Sequence, residues 1–294
     1  MQDFKGKTAV VTGGASGIGR GLAEKFAHAG MNVVLADIEQ AALDRAVREM
    51  QDKQYRVIGV QTNTMLRDSV EALAAQAIAE FGSVHVLCNN AGVLGRNEGV
   101  KPIWELPAAD WDWLIGVNFL GVLYGLQAFV PHMLAHGEEG HIVNTASLAA
   151  WLPGGGPYGV TKHGVLSLSE SLYADLHSRN ARIGASVLCP GWVDTKLASA
   201  ERNRPVALAT ETDSGPLLGG TAGMAKEVLP TGKQPTEIAD IVFDAIRNQN
   251  FYILPHPAWD YILRARFEAA LARSVPAKLD FAEMMQRRAA GEVF

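Results

Sequence analysis

Seven short runs rich in β-forming residues alternate with longer segments of helical periodicity, and this rhythm constrains the fold more than any other feature of the chain. Most of the runs lack regular polar alternation, which is typical of strands buried on both faces of a parallel sheet. We therefore predict an α/β fold in which helices cover both faces of a doubly wound, seven-stranded parallel sheet. The predicted strands are residues 8–13, 32–37, 55–61, 84–90, 141–147, 182–190 and 251–256.

The domain organisation follows from length and punctuation. A chain of 294 residues with 48% apolar and 19% charged residues is within reach of one domain, and we predict a single domain with its core at residues 1–256. Residues 191–234 form a long irregular segment with several glycines and prolines, which is typical of a substrate loop. Residues 257–294 form a tail with amphipathic helical stretches at 260–274 and 281–290.

Composition argues against several classes of partner. The net charge of −5 and a pI near 5.9 offer no basic footprint, so we expect neither nucleic acid nor an anionic membrane as a partner. No signal or transit peptide is visible, and we expect a cytoplasmic protein. Cys88 and Cys189 lie in apolar runs, which predicts buried free thiols, with a redox role as the alternative. We expect no metal site.

The segment from about 107 to 135 is predicted to be a helix that is apolar nearly all round. Its most apolar part, residues 114–130, contains Asn118 and Gln127 and is shorter than the ~20 residues that cross a bilayer, so we interpret it as buried. A helix with two apolar faces must cover both. We expect self-association as a homodimer or homotetramer, with cover by the C-terminal tail as the alternative.

The first strand leads directly into a glycine-rich stretch, TGGASGIG, at residues 12–19. Gly13, Gly17 and Gly19 lack side chains and let the backbone approach a pyrophosphate, while the helix that starts near Ile18 directs its N–H groups and positive dipole end at it. The combination of strand, loop and helix predicts a Rossmann-like nucleotide site. A plain tight turn between strand and helix is the alternative.

Asp37 ends the second predicted strand, eighteen residues beyond Gly19. A carboxylate at this place can accept hydrogen bonds from the adenosine ribose hydroxyls and would repel a 2′-phosphate, which predicts NAD in preference to NADP. Neither Ala15 nor Ile38 supplies the cation that a phosphate would require. The alternative, that Asp37 caps the helix beginning at Glu39, is compatible with this role.

A tyrosine precedes a lysine by four residues in PYGVTK, residues 157–162. On a helix these positions share one face, so the Lys162 ammonium can lie beside the Tyr158 phenol. A free phenol has a pKa of ~10 and is a poor acid or base at neutral pH. A neighbouring positive charge favours the phenolate, which makes the pair a candidate for proton transfer.

Six separated motifs recur in one order: TGGASGIG, Asp37, NNAG at 89–92, Asn118, Ser147 with Tyr158 and Lys162, and PGWVDT at 190–195. In this the sequence resembles the short-chain dehydrogenase/reductase family over essentially the whole chain to about residue 256. The resemblance implies an NAD(P)-dependent oxidoreductase that acts on an alcohol or ketone as a homotetramer or dimer.

The resemblance also implies roles for individual residues. Tyr158 would be the general acid/base, with its pKa lowered by Lys162 and the nicotinamide charge, and Ser147 would orient the substrate oxygen. Asn118 would bend its helix and hold a proton-relaying water, with a core asparagine that satisfies helix backbone as the alternative. The implied cofactor-binding residues are Gly13, Ser16, Gly17, Ile18, Gly19, Asp37, Ile38, Asn63, Thr64, Asn90, Ala91, Gly92, Tyr158, Lys162, Pro190, Gly191, Val193 and Thr195.

Two departures from the family pattern bear on the site. Asn63 stands where the family commonly has an aspartate that contacts adenine, and we expect altered adenine binding without loss. The interval from Ser147 to Tyr158 is eleven residues where thirteen is usual, and it contains PGGGP at 153–157. We expect the catalytic geometry to survive and the shape of the substrate site to differ from that of relatives.

The residues expected near the substrate are mostly apolar. Arg202, Arg204 and Lys226 lie in the predicted loop, but no cluster for a carboxylate or phosphate is visible. We predict an apolar or aromatic secondary alcohol, and the loop and the FYILPHPAW stretch resemble family members that oxidise benzylic alcohols of lignin-type aromatics. Alternatives are an NADP-preferring carbonyl reductase and a non-catalytic nucleotide sensor or scaffold. The predicted substrate residues are Leu94, Leu148, Trp151, Leu152 and Trp192, although either tryptophan can instead be a packing residue.

Overall fold

Seven strands form the sheet of this protein, for which a computed structural model describes residues 1–96, 99–209, 220–277 and 280–292. All strand pairs are parallel. The seven predicted strands are therefore confirmed, with ends that differ by up to three residues. The strands are β1 (Thr8–Thr12), β2 (Asn32–Asp37), β3 (Val57–Gln61), β4 (Val86–Asn89), β5 (Gly140–Thr145), β6 (Ile183–Leu188) and β7 (Tyr252–Ile253).

The strand order is β3-β2-β1-β4-β5-β6-β7. The chain winds outward from β1 to β3, then returns to the other side of β1 and winds outward again to β7. A crevice opens at the carboxyl ends of β1 and β4, where this direction reverses, and ligands of doubly wound sheets bind at such a switch point. The topology is that of the predicted Rossmann-like fold.

Ten α-helices are described, and six of them cover the two faces of the sheet, three on each face. Along β1 the side chains alternate, so Ala9 and Val11 pack into one core while Val10 packs into the other. The first core contains residues of α1, α2 and α8, and the second contains residues of α3, α5 and α6. The helices are α1 (Gly17–His28), α2 (Gln40–Asp52), α3 (Arg67–Phe81), α4 (Ala108–Leu114), α5 (Gly121–His136), α6 (Gly156–Ser178), α7 (Gly220–Val228), α8 (Pro235–Asn248), α9 (Asp260–Leu271) and α10 (Phe281–Ala289).

The long apolar helix predicted at 107–135 is present as three joined pieces. A π-helical stretch, Ile115–Leu120, separates α4 from α5 and contains the buried Asn118. Among the described residues, Ala108–His136 is the one segment long and apolar enough to cross a membrane, but half of its most apolar window is buried within the fold. α5 packs against α3, and the π-helical stretch packs against α6, as expected for a core helix.

The region after β6 is partly irregular, as predicted for residues 191–234. It contains short 3₁₀ turns at Leu197–Asn203, Val206–Leu208 and Leu229–Thr231 and also the helix α7, while positions 210–219 lie outside the described residues. The tail forms α9 and α10 as predicted. Trp259, Ile262 and Met284 of the tail join a core cluster with Trp151, so the tail packs against the main body beside the carboxyl ends of β5 and β6.

Candidate active site

The glycine-rich loop connects β1 to α1 at the switch point. Gly13 and Gly17 have φ angles of +64° and +53°, a region that residues with a Cβ rarely adopt. A Cβ at Gly19 would overlap the carbonyl oxygen of Gly13, so the loop closes tightly under the start of the helix. The Ser16 side chain does not cap α1. This leaves the first N–H groups of α1 for an anionic group such as a pyrophosphate.

The loop is fastened to the neighbouring strand through Thr12. The Thr12 hydroxyl accepts hydrogen bonds from the backbone N–H groups of Asn90 (2.9 Å) and Ala91 (3.1 Å). The Asn90 side-chain amide donates to the Thr12 carbonyl at 3.1 Å. The NNAG motif therefore joins the ends of β1 and β4 and holds the floor of the crevice. The spacing of the motifs did not reveal the role of Thr12.

Asp37 lies at the end of β2 and presents its carboxylate to the same crevice. One oxygen accepts a hydrogen bond from the Ala15 N–H and the other from the Glu39 N–H, both at 3.1 Å. Burial raises the pKa of Asp37 above its usual value, against the effect of these bonds. Each oxygen retains a lone pair for a ribose hydroxyl. Glu39 occupies the N-cap position of α2 without a side-chain capping bond, and Asp37 accepts from the Glu39 N–H, so the capping alternative stays compatible with the ribose role.

One groove collects nearly all of the predicted cofactor residues. It runs from Asp37 and Ile38, past the glycine loop, to Tyr158 and Lys162. Gly19 lies beneath the loop and is the predicted residue that does not line it. The Asn63 side-chain oxygen accepts a hydrogen bond from the Met65 N–H at 3.1 Å, so it is already engaged locally.

Tyr158 and Lys162 occupy successive turns of α6, as their spacing predicted. The Lys162 ammonium lies 5.6 Å from the centre of the Tyr158 ring and donates a hydrogen bond of 2.9 Å to the Thr145 carbonyl at the end of β5. Lys162 is 3% exposed, and this burial lowers its pKa from 10.5 to about 8. The amine is therefore mostly protonated at neutral pH and close to its titration range.

Asn118 approaches the same lysine from the π-helical stretch. Its side-chain oxygen accepts from the Val93 N–H at 2.8 Å, and its amide donates to the Val93 carbonyl at 2.9 Å. A Cβ on Gly92 would lie 3.3 Å from the Lys162 nitrogen and 3.4 Å from the Asn118 oxygen, so all three residues meet at one point. The paired bonds satisfy the backbone of Val93 in the loop after β4, whereas the alternative interpretation expected helix backbone as the partner.

Ser147 follows β5 and caps the 3₁₀ turn Leu148–Trp151. Its hydroxyl accepts from the Ala149 N–H at 3.1 Å and points toward the Pro190 carbonyl at 3.5 Å, a long hydrogen bond that a substrate oxygen can replace. The short, glycine-rich connection then reaches α6 with Gly154 and Gly156 at positive φ. The connection between Ser147 and Tyr158 is thus shorter than is usual in the family, but the 3₁₀ turn at its start and α6 at its end are both present.

An apolar cavity of about 500 Å³ adjoins the groove. Leu94, Leu148, Leu152 and Trp192 line it as predicted. Met224, Ala225 and Leu229 supply a wall from the loop, and Trp259 supplies another from the tail. The Trp192 and Trp259 rings meet edge to face with their centres 5.8 Å apart. The contribution of Trp259 was not predicted, because it lies far from the motifs in the sequence.

Trp151 does not line this cavity, which corrects its prediction as a substrate residue. It is 8% exposed and packs with its ring centre 5.9 Å from Phe267 and 6.3 Å from Tyr252. The short 3₁₀ turn after Ser147 places Leu148 and Leu152 at the cavity and Trp151 between the turn and the tail. The open alternative, a packing residue, is the one that the structure supports for Trp151.

His256 positions the strand end that forms part of both cavities. Its Nδ1 accepts from the Gly191 N–H and its Nε2 donates to the Trp192 carbonyl, each at 3.0 Å. The ring is 1% exposed, and burial lowers its pKa from 6.5 to about 4, so it is neutral at physiological pH. A neutral ring is required, because Nδ1 must act as an acceptor.

The loop after β6 is held to the main body by two arginines. Arg204, with 4% of its side chain exposed, donates to Asp110 at 2.8 Å and to Glu201 at 2.6 Å, and its guanidinium lies 4.4 Å from the Trp113 ring centre. Arg202 donates to Glu39 at the nucleotide end of the crevice.

Within the described ranges, no group of three or more histidine, cysteine or acidic side chains is arranged to hold a metal ion.

Two cavities meet at Ser147, Tyr158, Pro190 and Gly191, since these residues line both. A nucleotide groove at the switch point and a proton-transfer group at its inner end are the parts of an oxidoreductase built on a dinucleotide-binding sheet. The family model of the short chain dehydrogenases matches residues 7–205. The chain belongs to this family.

The similar proteins agree with that assignment. A short chain dehydrogenase/reductase from Burkholderia phymatum, solved in complex with NAD, is 42% identical, with 95% of this chain and 99% of that one covered and a TM-score of 0.91. A CLA biosynthesis dehydrogenase/reductase of Lactiplantibacillus plantarum is 34% identical over 94% of this chain and 97% of its own. The C alpha-dehydrogenase of Sphingobium sp. is 32% identical over 95% and 90% respectively.

Proposed function

We propose that this family member is an NAD-dependent oxidoreductase that interconverts a secondary alcohol and a ketone, with an apolar or aromatic substrate. The observation that carries the proposal is that Ser147 and Tyr158 lie where the nucleotide groove and the apolar cavity join. A substrate oxygen at this junction can reach both hydroxyl groups. Its carbon skeleton would then occupy the apolar cavity.

The residues present fit a nicotinamide dinucleotide. The glycine loop leaves room for backbone to approach a pyrophosphate, and Asp37 presents acceptors to an adenosine ribose. Val193 and Thr195, which line the groove, would hold the carboxamide. When bound, nicotinamide supplies the hydride acceptor or donor. The complex of the Burkholderia phymatum relative with NAD supports NAD as the preferred cofactor.

Tyr158 would exchange the hydroxyl proton with the substrate oxygen. During oxidation its phenolate would accept this proton, and during reduction its phenol would return it. The buried Lys162 ammonium beside its ring favours the phenolate. Ser147 would donate its hydroxyl hydrogen to the substrate oxygen, giving up its long bond to the Pro190 carbonyl.

The cavity walls support the substrate class. Trp192 and Trp259 form an aromatic corner, and Leu94, Leu148 and Leu152 complete an apolar lining. A volume of about 500 Å³ accommodates a substrate larger than a simple alcohol. The C alpha-dehydrogenase of Sphingobium sp., which resembles this chain over nearly its whole length, is a relative whose name specifies a dehydrogenase acting at a Cα carbon.

The test is a substrate panel measured with NAD and with NADP in parallel. Neutral aryl-substituted secondary alcohols are compared with hydroxy acids of similar size, and formation of the reduced nicotinamide is followed by absorbance. We expect kcat/KM to be about tenfold or more higher for the neutral aromatic alcohols. Binding of NAD without turnover of any alcohol or ketone would favour a nucleotide sensor. Higher kcat/KM with NADP would overturn the NAD assignment.

A further inference from the structure

The adenosine end of the groove contains a guanidinium. Ala15 and Ile38, the neighbours of Asp37 considered in the sequence, carry no charge. Arg202 comes from the 3₁₀ turn Leu197–Asn203 in the loop after β6, and it lines the same groove as Asp37. A cation is therefore present near the position at which NAD and NADP differ.

The Glu39 carboxylate accepts hydrogen bonds from this guanidinium. Arg202 Nε and Nη2 donate to one Glu39 oxygen at 3.0 and 2.6 Å, and the Asn203 amide donates to the same oxygen at 2.9 Å. Arg202 Nη1 donates to the carbonyls of Lys196 and Ser199 at 3.2 and 2.6 Å. The hydrogen bond from Arg202 is the main reason that the pKa of Glu39 lies below its usual value, so the carboxylate is charged at neutral pH.

NADP differs from NAD by a phosphate on the adenosine 2′-oxygen, next to the carboxylate that ends β2. Arginine is the side chain best suited to such a phosphate because its planar fork matches two phosphate oxygens. In this protein Asp37 repels the phosphate, while the N–H groups of Arg202 are directed at Glu39 and at its own turn. A second carboxylate, Glu39, therefore engages the guanidinium that would otherwise be available to a 2′-phosphate.

We propose that Glu39 is a specificity-determining residue for the dinucleotide, because it retains Arg202 and withholds it from a 2′-phosphate. The inference rests on the proposed use of a nicotinamide dinucleotide. It extends that proposal, since the choice between NAD and NADP is set by the contact between the loop after β6 and α2 as well as by Asp37. A different role for the same contact, simple fastening of the loop over the groove, predicts equal weakening of both cofactors.

The experiment measures dissociation constants for NAD and NADP by titration calorimetry, without a substrate. In Glu39→Gln, Arg202 loses its charged partner, and we expect the ratio of the NADP constant to the NAD constant to fall by about tenfold. The double variant Glu39→Gln/Arg202→Ala should return the ratio to that of the wild type. Glu49→Gln is the matched control: it makes the same change within α2, the helix that begins directly after Glu39, and Glu49 is 59% exposed and lies outside the groove lining.

Each other outcome overturns the inference. An unchanged ratio, or equal weakening of both cofactors, would show that the contact only fastens the loop. A gain for NADP that survives removal of Arg202 would assign the effect to another cation of the groove, such as Lys196. The proposed preference for NAD is tested separately, by the wild type alone, and tighter binding of NADP than of NAD by the wild type would overturn it. The role of Glu39 is tested by the change in the ratio between the variant and the wild type. Absence of binding by either dinucleotide would overturn both.

Discussion

The Lys162 ammonium lies 5.6 Å from the centre of the Tyr158 ring while its hydrogen bond goes to the Thr145 carbonyl, at the end of β5. The lysine is therefore fixed by the sheet and acts on the tyrosine through its field. This relationship explains why the two residues belong four positions apart on one helix. It also ties the Tyr158–Lys162 pair of α6 to β5, which Ser147 follows.

Tyr158→Phe should lower kcat by about a hundredfold or more and leave the dissociation constant for NAD nearly unchanged. The phenol is the proposed partner for the substrate proton, whereas the groove retains its other contacts to the dinucleotide. The measurements are steady-state kinetics with the best alcohol of the panel and calorimetry with NAD. Tyr173→Phe, on the exposed side of the same helix, is the matched control and should retain activity. Weaker NAD binding without a loss of rate would contradict the assignment.

Lys162 should make the stability of the protein depend on pH in the alkaline range. Burial lowers its pKa from 10.5 to about 8, so between these values the unfolded chain binds a proton that the folded chain does not. The free energy of unfolding contributed by this residue therefore rises with pH. We expect the wild type to gain about 1–3 kcal/mol relative to Lys162→Met from pH 7.5 to pH 10.5, measured by urea unfolding. A constant difference would show that the amine is not desolvated.

His256 should make the stability of the protein depend on pH in the acidic range. Its pKa is about 4 in the folded protein and near 6.5 in the unfolded chain, so as the pH falls from 6.5 to 4 the unfolded chain gains a proton and stability is lost. We expect this residue to contribute about 2 kcal/mol of that loss. His256→Asn should be less stable at neutral pH but lose less on acidification, as measured by urea unfolding at several pH values. His177→Asn, at an exposed position of α6, should follow the wild type.

Arg204 should be one of the main residues that hold the loop after β6 in place. Arg204→Met removes the guanidinium that pairs with Asp110. The Asp110 carboxylate is buried, with 3% of its side chain exposed. We expect a loss of about 3 kcal/mol in the free energy of unfolding and faster proteolysis within the loop. Arg179→Met, which changes an arginine 61% exposed at the end of α6, should alter neither. Equal protease sensitivity of both variants would show that other contacts hold the loop.

The sequence was sufficient for the elements whose signals are local. The strands, the glycine loop and the Tyr158–Lys162 pair are each encoded within a few neighbouring residues, by hydrophobic run, glycine spacing or helical period. Their mutual placement followed from the doubly wound order, because parallel strands bring their carboxyl ends to one edge.

The parts that the sequence did not reveal depend on contacts between distant positions. His256 reaches Gly191 across 65 residues, and Arg202 reaches Glu39 across 163 residues. The sequence predicts Trp151 in the substrate site because it lies near the end of a strand, but the direction of a side chain in a 3₁₀ turn depends on what the turn packs against. The tail supplied that packing surface.

Part of the wall of the apolar cavity comes from a stretch of the chain that carries none of the proposed catalytic residues. Ser147, Tyr158 and Lys162 lie within the matched family region, residues 7–205, whereas Met224, Leu229 and Trp259 lie beyond it. Exchange of the later part alone would therefore change this portion of the cavity wall and leave Ser147, Tyr158 and Lys162 in place. Chimeras joined between these two parts offer a direct route to new substrate preferences on an unchanged reaction centre.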